Sequence, residues 1–536
     1  MAGLAAAFGS GSMTNSFREL EDADCILVFG SNTTVAHPVA SRHLLRAREK
    51  GKRLVVIDPR RTHIDEQADM HLPIKPGTDV ALVNSLLHVI YKNGWQNQEF
   101  IDQRTENSRE LLQAIENYPP EKAAKICEIP AEDIEKIAKW YSSVEKGSIV
   151  YVLGITQHSH GVDNVKSLAN LAMFCGHIGR PSTGVNPFRG QNNVQGACDM
   201  GVLPNVLTGY QKVFDENVRE KFERAWDAKL SDQPGLTQVE QIEALIDGRM
   251  KGLVVFGANP LMSYPDVDRV RKAYEAAEFV LSIDIFPTPS TDMSDVVLPG
   301  ASFAETDGTF TSSERRVQRL HKAIEPLGGK TNWQIIQELA QRLGSSMHYE
   351  AAEAIFKEIA ELTPYYQGMS YPRIEARGLC WPCPDSNHPG TQYLHKDKFT
   401  HGKGIFHPVE YKGAAEVPDE EYPFWLITGT IYNHYLTGSM TGRCISLNKE
   451  GSEAIVEINP NDAEKLGVSN EDILRAKTRR GNIEVRAVIT DKLTPGSVFI
   501  PLHFIDQPAN RLTSAALDPV SKTPEYKACA VKLEAV

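Results

Sequence analysis

The stretch from Arg189 to Gly201, RGQNNVQGACDMG, concentrates groups that can bind a polar ligand. It holds glycines, side-chain amides, one carboxylate and, at its first position, a single guanidinium. A guanidinium pairs with a carboxylate through two parallel hydrogen bonds, and short amides both donate and accept. No helical or strand period fits the run, so it is predicted to be a polar loop outside the core. Its composition suits a large polar cofactor with an anionic substrate beside it, and an ordinary polar surface loop is the alternative.

The segment before this stretch is predicted to form a nucleotide-binding half. A buried strand over Asp24–Phe29 is followed by a turn at Gly30, a helix over Pro38–Lys50 and a strand over Leu54–Ile57 that ends at Asp58. A glycine after a strand lets backbone N–H groups approach a phosphate, and an acid after the next strand can bind ribose hydroxyls or a guanine edge. The GxGxxG motif is absent, which disfavours an ordinary NAD dehydrogenase.

The same half recurs after the stretch. The run LVVFGAN, which contains Gly257, repeats LVFGSN, which contains Gly30, and Asp284 occupies the position of Asp58. A second match follows each acid, ADMHLP in the first copy and SDVVLP in the second. We therefore predict two pseudo-symmetric halves that bind two nucleotide-bearing groups, with the stretch at Arg189 between them. Two unrelated strand–helix–strand units are the alternative.

The composition limits the class of protein. The chain has 536 residues, 41% apolar and 24% charged, as in a soluble protein of several domains. The net charge of -12 argues against nucleic acid and against an anionic membrane surface as partners. No apolar run is long enough for a transmembrane segment, and the opening MAGLAAAFGSGSM lacks the basic region of a secretory signal. The default expectation is a cytoplasmic location. Residues 2–17 are small and polar, and they are predicted to form a loop that leads into a helix rather than the start of a domain.

The eight cysteines are scattered, and only Cys380 and Cys383 lie close together. This CWPC spacing could be a redox pair or half of a zinc site, but no second pair accompanies it. No four-cysteine cluster is spaced for an iron–sulfur centre, so the chain as given is expected to ligate none. From Phe424 onward, five short strands separated by turns predict a compact β-barrel.

Several motifs together identify a family that the chain resembles. GRP followed by GVNP leads into the stretch at Arg189, and Glu305-x-x-Gly308-Thr309 is followed by RVQ. The barrel carries NPNDA and, near its end, TPEYK. Over nearly its whole length the chain resembles the catalytic subunits of bis(molybdopterin guanine dinucleotide) oxidoreductases, in the formate dehydrogenase branch. Their metal is molybdenum or tungsten.

The resemblance implies an α/β fold with two pseudo-symmetric Rossmann-like domains and a C-terminal six-stranded β-barrel. The expected ranges are 1–191 for the first α/β domain, 192–303 for the second, 304–411 for a connecting mixed region and 412–536 for the barrel. The second domain is expected to be incomplete without a further N-terminal part.

The resemblance also assigns roles to residues. Arg189 matches the arginine that holds formate against the metal, and the chain is expected to supply no metal ligand. His158 and His160 are expected to be structural. The cofactor contacts implied by the resemblance are Gly30, Asn32, His37, Asp58, Arg60, Gln157, Gly190, Gln191, Gly257, Asn259, Asp284, Thr288, His434 and Asn510.

The beginning of the chain departs from the family. Relatives begin with four cysteines that hold a 4Fe–4S cluster and continue to a metal-ligating selenocysteine or cysteine followed by histidine. AGLAAAFGSGSMTNSF resembles the sequence just after that pair, so Met1 is expected to lie about five residues downstream of it, by truncation at a selenocysteine codon. An in-frame UGA upstream, followed by a His codon, would support this hypothesis.

The implied reaction is reversible oxidation of formate to CO2. Electrons would leave through the iron–sulfur cluster to partner subunits that are ferredoxin-like or linked to NAD or a hydrogenase. As given, the chain is expected to be inactive. Two alternatives stay open: another molybdopterin enzyme such as a nitrate reductase, and a metal-free scaffold subunit of a respiratory complex.

Overall fold

The computed structural model describes residues 1–536, which form a mixture of helices and strands. The strands are β1 Cys25–Phe29, β2 Arg53–Ile57, β3 Met70–Leu72, β4 Thr105–Glu106, β5 Gly147–Tyr151, β6 Gly184–Pro187, β7 Val206–Leu207, β8 Gln211–Lys212, β9 Gly252–Phe256, β10 Phe279–Asp284, β11 Val296–Pro299, β12 Gly308–Thr311, β13 Arg316–Leu320, β14 Leu379–Cys380, β15 Gly404–Ile405, β16 Phe424–Gly429, β17 Ile455–Ile458, β18 Ile473–Lys477, β19 Asn482–Ile489, β20 Ser497–Pro501 and β21 Cys529–Ala535. The helices are α1 Ala2–Phe8, α2 Thr33–Ala36, α3 Pro38–Glu49, α4 Asp79–Lys92, α5 Gln98–Arg104, α6 Ser108–Ile115, α7 Pro120–Cys127, α8 Ala131–Ser142, α9 Leu153–Thr156, α10 Gly161–Phe174, α11 Val194–Asp199, α12 Glu216–Trp226, α13 Gln238–Ile246, α14 Pro260–Ser263, α15 Val267–Ala276, α16 Pro289–Asp292, α17 Asn332–Arg342, α18 Ala352–Leu362, α19 Tyr371–Ile374, α20 Ile445–Glu450 and α21 Pro460–Leu466. None of these helices combines the length and the apolar character needed to cross a bilayer.

The chain divides into two compact units. Unit 1 consists of Met1–Gly190, Met262–Asp268 and Tyr393–Val536, and unit 2 consists of Gln191–Leu261 and Arg269–Gln392. The four domain ranges expected from the sequence stay a prediction.

Unit 1 contains a parallel five-stranded sheet in the order β3-β2-β1-β5-β6. Its central strand β1, CILVF, is buried along its whole length, as expected for a parallel strand covered on both faces. Leu27 and Phe29 pack into the core formed with α4, α8 and α10, whereas Ile26 and Val28 pack towards α3. Helix α3 begins at Pro38, where a proline at the first helical position costs no hydrogen bond.

The second part of unit 1 is a closed barrel in the order β16-β20-β17-β19-β18-β21. Alternate residues of β19, including Ile483, Val485 and Ala487, fill its core. The five strands delimited from the sequence are all present, and β21 at the end of the chain closes the barrel between β16 and β18. The expected six-stranded barrel is therefore confirmed.

Unit 2 contains a parallel three-stranded sheet in the order β11-β10-β9 and an antiparallel sheet in the order β12-β13-β14. A separate apolar cluster lies beside the antiparallel sheet and includes Val317, Phe356, Tyr366 and Trp381. Cys380 and Cys383 are buried within this unit and form no disulfide bond.

The internal repeat predicted from the sequence is confirmed by matching hydrogen bonds. Gly30 donates its N–H to Ile57 at 2.9 Å in unit 1, and Gly257 donates to Ile283 at 2.8 Å in unit 2. The two copies differ on one side of the sheet. Strand β1 pairs with β5, whereas β9, at the corresponding place, is the edge strand of its sheet.

One prediction for the N-terminus is wrong. Residues 2–17 were expected to form a loop leading into a helix, but Ala2–Phe8 is itself helix α1, with Leu4, Ala7 and Phe8 buried. The segment AGLAAAF is rich in alanine, the best helix former, and it packs against α10. Gly3 lies so close to α10 that a Cβ there would be 2.7 Å from Val165 Cβ, which explains its small side chain.

Candidate functional site

The first candidate cradle lies where β1 ends. Gly30 has φ of +53°, and a Cβ there would lie 2.7 Å from Gly154 Cα, so the two glycines allow the ends of β1 and β5 to meet. Three buried polar atoms that follow have no hydrogen-bond partner in the protein: Asn32 Oδ1, Thr34 Oγ1 and His37 Nδ1. Buried polar atoms are normally paired, so these three favour a bound polar ligand.

His37 connects this cradle to Arg189. Its Nε2–H donates to the carbonyl oxygen of Arg189 at 2.8 Å, which leaves Nδ1 as an acceptor. Burial lowers the pKa of His37, against the opposing effect of that hydrogen bond, so the ring is neutral near pH 7. The guanidinium of Arg189 is half-buried and donates to the carbonyl oxygen of Gly11 at 3.3 Å. The structure therefore brings Arg189, Gly190 and the end of β1 together within unit 1.

Asp58 follows β2, next to the same cradle. Burial, the largest effect, raises its pKa to about 6, although the N–H of Arg60 donates to its Oδ1 at 3.0 Å. Lys527 is electrostatically coupled to Asp58, and burial lowers the lysine pKa to about 8. Its Nζ donates to the carbonyl oxygen of Thr428 at 2.7 Å. A carboxyl and an amine with such shifted pKa values indicate a polar ligand site.

Sequence reasoning missed Lys527 as a site residue. It lies in TPEYK, which the sequence indicated only as a family motif. Nothing local distinguishes its ammonium group from other surface lysines, because the neighbours that bury it come from other parts of the chain.

The guanidinium of Arg60 already has protein partners. Its Nε and Nη2 donate to the two carboxylate oxygens of Glu457 at 2.6 and 2.7 Å, and it lies 4.3 Å from the centre of the Phe499 ring. This buried pair joins the end of β2 to barrel strands β17 and β20. A cofactor contact through Arg60 stays a prediction.

Gln157 lies in the turn between α9 and α10, where its carbonyl oxygen accepts the N–H of Lys527 at 3.4 Å. Ser159, two positions further on, is tied to the C-terminal segment, because Glu525 accepts both its N–H and its hydroxyl at 3.2 Å. His158 is buried, with Nε2 donating to the carbonyl oxygen of Gly154 at 2.8 Å. The turn that carries Gln157 is therefore held by the segment that carries Lys527.

His434 and Asn510 are buried side chains of the barrel region. His434 contacts the hydroxyl of Thr441 and the carbonyl oxygen of Gly451, and it lines a cavity of about 470 Å³ together with His503. Asn510 donates to the carbonyl oxygen of Met262 at 2.8 Å. Their expected contacts with pterins stay a prediction.

The second candidate cradle lies in unit 2. Gly257 has φ of +58°, and no atom lies within 4 Å of the place a Cβ would take, so the space at this turn is open. Asn259 Oδ1 accepts the hydroxyl of Ser290 at 2.7 Å, and Thr288 accepts the N–H of Thr291 at the start of α16. Asp284 ends β10 and accepts the N–H of the following residue. The structure thus groups Gly257, Asn259, Asp284 and Thr288 within unit 2, and their expected contacts with the cofactor stay a prediction.

The stretch after Gly190 corrects the expectation of a polar loop outside the core. Residues Val194–Asp199 form helix α11, and both Gln195 and Asp199 are only 1% exposed. They are buried because each finds polar partners, with Gln195 Nε2 donating to Asp199 Oδ1 at 2.7 Å. Gln191 and Asn192 stay exposed, so the stretch combines an accessible first part with an anchored second part.

Two known protein families match this chain. The family described as Molybdopterin oxidoreductase matches residues 3–342, and the family described as Molydopterin dinucleotide binding domain matches residues 424–530. The chain belongs to the molybdopterin oxidoreductase family. The expected resemblance is thereby confirmed, as is the cofactor class, a molybdopterin dinucleotide that carries molybdenum or tungsten.

Several known proteins align with the whole chain. The F420-dependent formate dehydrogenase subunit alpha of Methanocaldococcus jannaschii is 49% identical over 100% of this chain and 80% of its own length. Formate dehydrogenase H of Escherichia coli is 37% identical over 100% of this chain and 76% of its own length. The solved acetylene hydratase from Pelobacter acetylenicus superposes with a TM-score of 0.81 at 19% identity, over 100% of this chain and 80% of the hydratase. That last likeness confirms the fold.

The residues of the first cradle fit such a cofactor. Asn32 Oδ1, Thr34 Oγ1 and His37 Nδ1 can all accept hydrogen bonds, which the hydroxyls of a ribose or the N–H groups of a guanine would supply. Lys527 can pair with a phosphate, and Asp58 can accept from N–H or O–H groups. The chain therefore offers both the anionic and the cationic partner that a guanine dinucleotide requires.

Proposed function

We propose that this chain is the catalytic subunit of a formate dehydrogenase, which oxidises formate to CO2, a proton and two electrons. The observation that carries the proposal is the 49% identity to a formate dehydrogenase subunit alpha across the whole chain. The 37% identity to formate dehydrogenase H supports it independently.

Arg189 is the residue that would bind the substrate carboxylate. The planar fork of a guanidinium matches the two oxygens of formate. Its position is restrained by the Gly11 carbonyl at the side chain and by neutral His37 at the backbone. The cofactor metal, when bound, accepts the two electrons of the reaction. The protein supplies binding, orientation and charge.

Each cradle would hold one nucleotide end of the cofactor. Gly30, Asn32, His37, Asp58 and Lys527 form the first set. Gly257, Asn259, Asp284 and Thr288 form the second, and Gln157, Gly190, Gln191, His434 and Asn510 are proposed as further contacts. The two electrons would leave to iron–sulfur partner subunits of a multisubunit complex, ferredoxin-like or linked to NAD or a hydrogenase, in the cytoplasm.

The test is Arg189→Lys in the full-length enzyme. A lysine keeps the charge but loses the bidentate geometry, so the formate KM should rise about 10- to 100-fold and turnover should fall, since charge-assisted hydrogen bonds contribute about 1.5–3 kcal/mol. Metal content should be retained. Arg46→Lys is the matched control, because Arg46 is exposed and pairs with Glu21. This variant should change neither the formate KM nor the turnover. An unchanged formate KM in a fully loaded Arg189→Lys enzyme would remove Arg189 from the substrate site.

The wild-type enzyme distinguishes the alternatives. Oxidation of formate, without reduction of nitrate, is the expected result. Activity on nitrate alone would favour the nitrate reductase type. Absence of both molybdenum and tungsten after cofactor-replete expression would favour a scaffold subunit.

A further inference from the structure

We propose that Asp199 is the positioning residue of the stretch that begins at Arg189: it fixes the chain from Gln191 to Asn193 within unit 2, so that the substrate-binding arginine has a defined point of attachment. This inference rests on the proposed function for its catalytic consequence, but its structural part stands separately.

Asp199 is a buried carboxylate surrounded by neutral donors. Its Oδ1 accepts from Gln195 Nε2 and from the Tyr210 hydroxyl, each at 2.7 Å. Its Oδ2 accepts from the Tyr366 hydroxyl and from Trp381 Nε1, each also at 2.7 Å. Gln195 belongs to α11 itself, whereas Tyr210, Tyr366 and Trp381 come from three other segments of unit 2. None of the four donors is charged. The carboxylate therefore joins α11 to the body of unit 2 with directional bonds rather than with an ion pair.

The same network reaches forward to Asn193. The Tyr366 hydroxyl is 3.2 Å from Thr311 Oγ1, and the N–H of Thr311 donates to Asn193 Oδ1 at 2.8 Å. Gly196 completes the arrangement, because a Cβ there would lie 2.3 Å from Asn193 Oδ1. Asn193, Gly196 and Asp199 are thus three residues of one motif that serve one purpose. They hold the helix start that directly follows the exposed Gln191 and Asn192.

A carboxylate at position 199 is better explained by a role in positioning the stretch than by a contribution to the stability of the protein. Burying an ionised group costs free energy, and well-packed apolar side chains of similar volume often stabilise a protein at least as well. A fully satisfied buried polar network instead selects one geometry among several. Burial raises the pKa of Asp199, and the four hydrogen bonds oppose that shift. A role in fixing the geometry of the stretch next to Arg189 explains why a carboxylate is buried here despite this cost in free energy.

The experiment compares Tyr366→Phe with Tyr365→Phe in the full-length enzyme. Tyr366→Phe removes one hydrogen bond to Asp199 and the contact to Thr311 while keeping the ring. Tyr365 is the adjacent tyrosine, which stacks on Trp381 with 5.3 Å between ring centres and gives Asp199 no hydrogen bond, so it is the matched control. Hydrogen–deuterium exchange of backbone amides in 191–201 and steady-state kinetics with formate are measured on the same samples, together with metal content.

The expected result for Tyr366→Phe is about tenfold faster exchange confined to 191–201, corresponding to loss of one hydrogen bond to a charged group, and a several-fold higher formate KM at full metal content. Tyr365→Phe should change neither. Exchange that is unchanged, or that rises equally over the whole of unit 2, would overturn the anchoring role. Local exchange that rises without any change in formate KM would overturn the positioning role. A wild-type enzyme without formate activity would instead refute the proposed function, and the exchange measurement would still test the anchor.

Discussion

The buried pair between Arg60 and Glu457 gives a test of how unit 1 is held together. The two side chains are 10% and 5% exposed and share two hydrogen bonds. Replacing Arg60 by Met keeps apolar contact with Phe499 but leaves the carboxylate of Glu457 buried without its partner. Removing one partner of a buried pair costs about 3–5 kcal/mol. Lys492 Nζ, 3.9 Å from Glu457 Oε1, is too distant in this geometry to replace two hydrogen bonds.

A double variant distinguishes the contribution of the Arg60–Glu457 pair from the cost of burying one unpaired charge. Arg60→Met with Glu457→Leu removes both charges, and such apolar replacements are often neutral, so the double variant should lie within about 1 kcal/mol of wild type. The coupling free energy should then be at least about 3 kcal/mol. Arg486→Met is the control, because that arginine pairs with Glu453 and Glu471 at the surface and its loss should cost below about 1 kcal/mol.

The assay is hydrogen–deuterium exchange in increasing urea, read on peptides that cover β2 and β17. It yields a local free energy of opening without the assumption that a 536-residue chain unfolds in one step. If Arg60→Met and Glu457→Leu each cost below about 1 kcal/mol and add independently, the pair does not couple these two regions and the reasoning is wrong.

Three further predictions follow from the cradles. Gly30→Ala should destabilise the protein more than Gly257→Ala. Both substitutions replace a glycine with positive φ, but only at Gly30 would the new Cβ lie 2.7 Å from backbone atoms. Thermal unfolding of the two variants tests this prediction, and equal losses of stability would contradict it. Burial raises the pKa of Asp58 from 3.8 to about 6, so ionisation of Asp58 destabilises the cofactor-free fold as the pH rises from 4 to 6. Asp58→Asn should weaken that pH dependence in unfolding experiments. The remaining pH dependence should come from Asp65, whose pKa is also raised to about 6. The pKa of Lys527 is lowered to about 8, so its charge opposes folding below pH 8, and this effect fades as the pH rises to 10.5. Lys527→Met should therefore stabilise the cofactor-free protein at pH 7 and reduce cofactor retention. Retained cofactor at unchanged stability would refute the role of Lys527.

The elements that could be predicted from the sequence carry their signals locally. The apolar run of β1, the proline that begins α3 and the glycine turns of the repeat each indicate structure within a few residues. The burial of Asp199 could not be predicted in this way. Its partners Tyr366 and Trp381 lie 167 and 182 positions away along the chain, so a window around the stretch shows polar side chains without their donors. Lys527 was missed for the same reason, since its environment is assembled from distant segments.

The edge of β9 that pairs with no other strand affects the solubility of the protein. Val254 and Phe256 are 58% and 43% exposed on an edge strand whose outer backbone groups make no ladder with another strand. Such an edge is a template for pairing between molecules, which leads to concentration-dependent aggregation. A lysine at position 254 would discourage that pairing, and light scattering of Val254→Lys against wild type at matched concentrations would measure the gain in solubility.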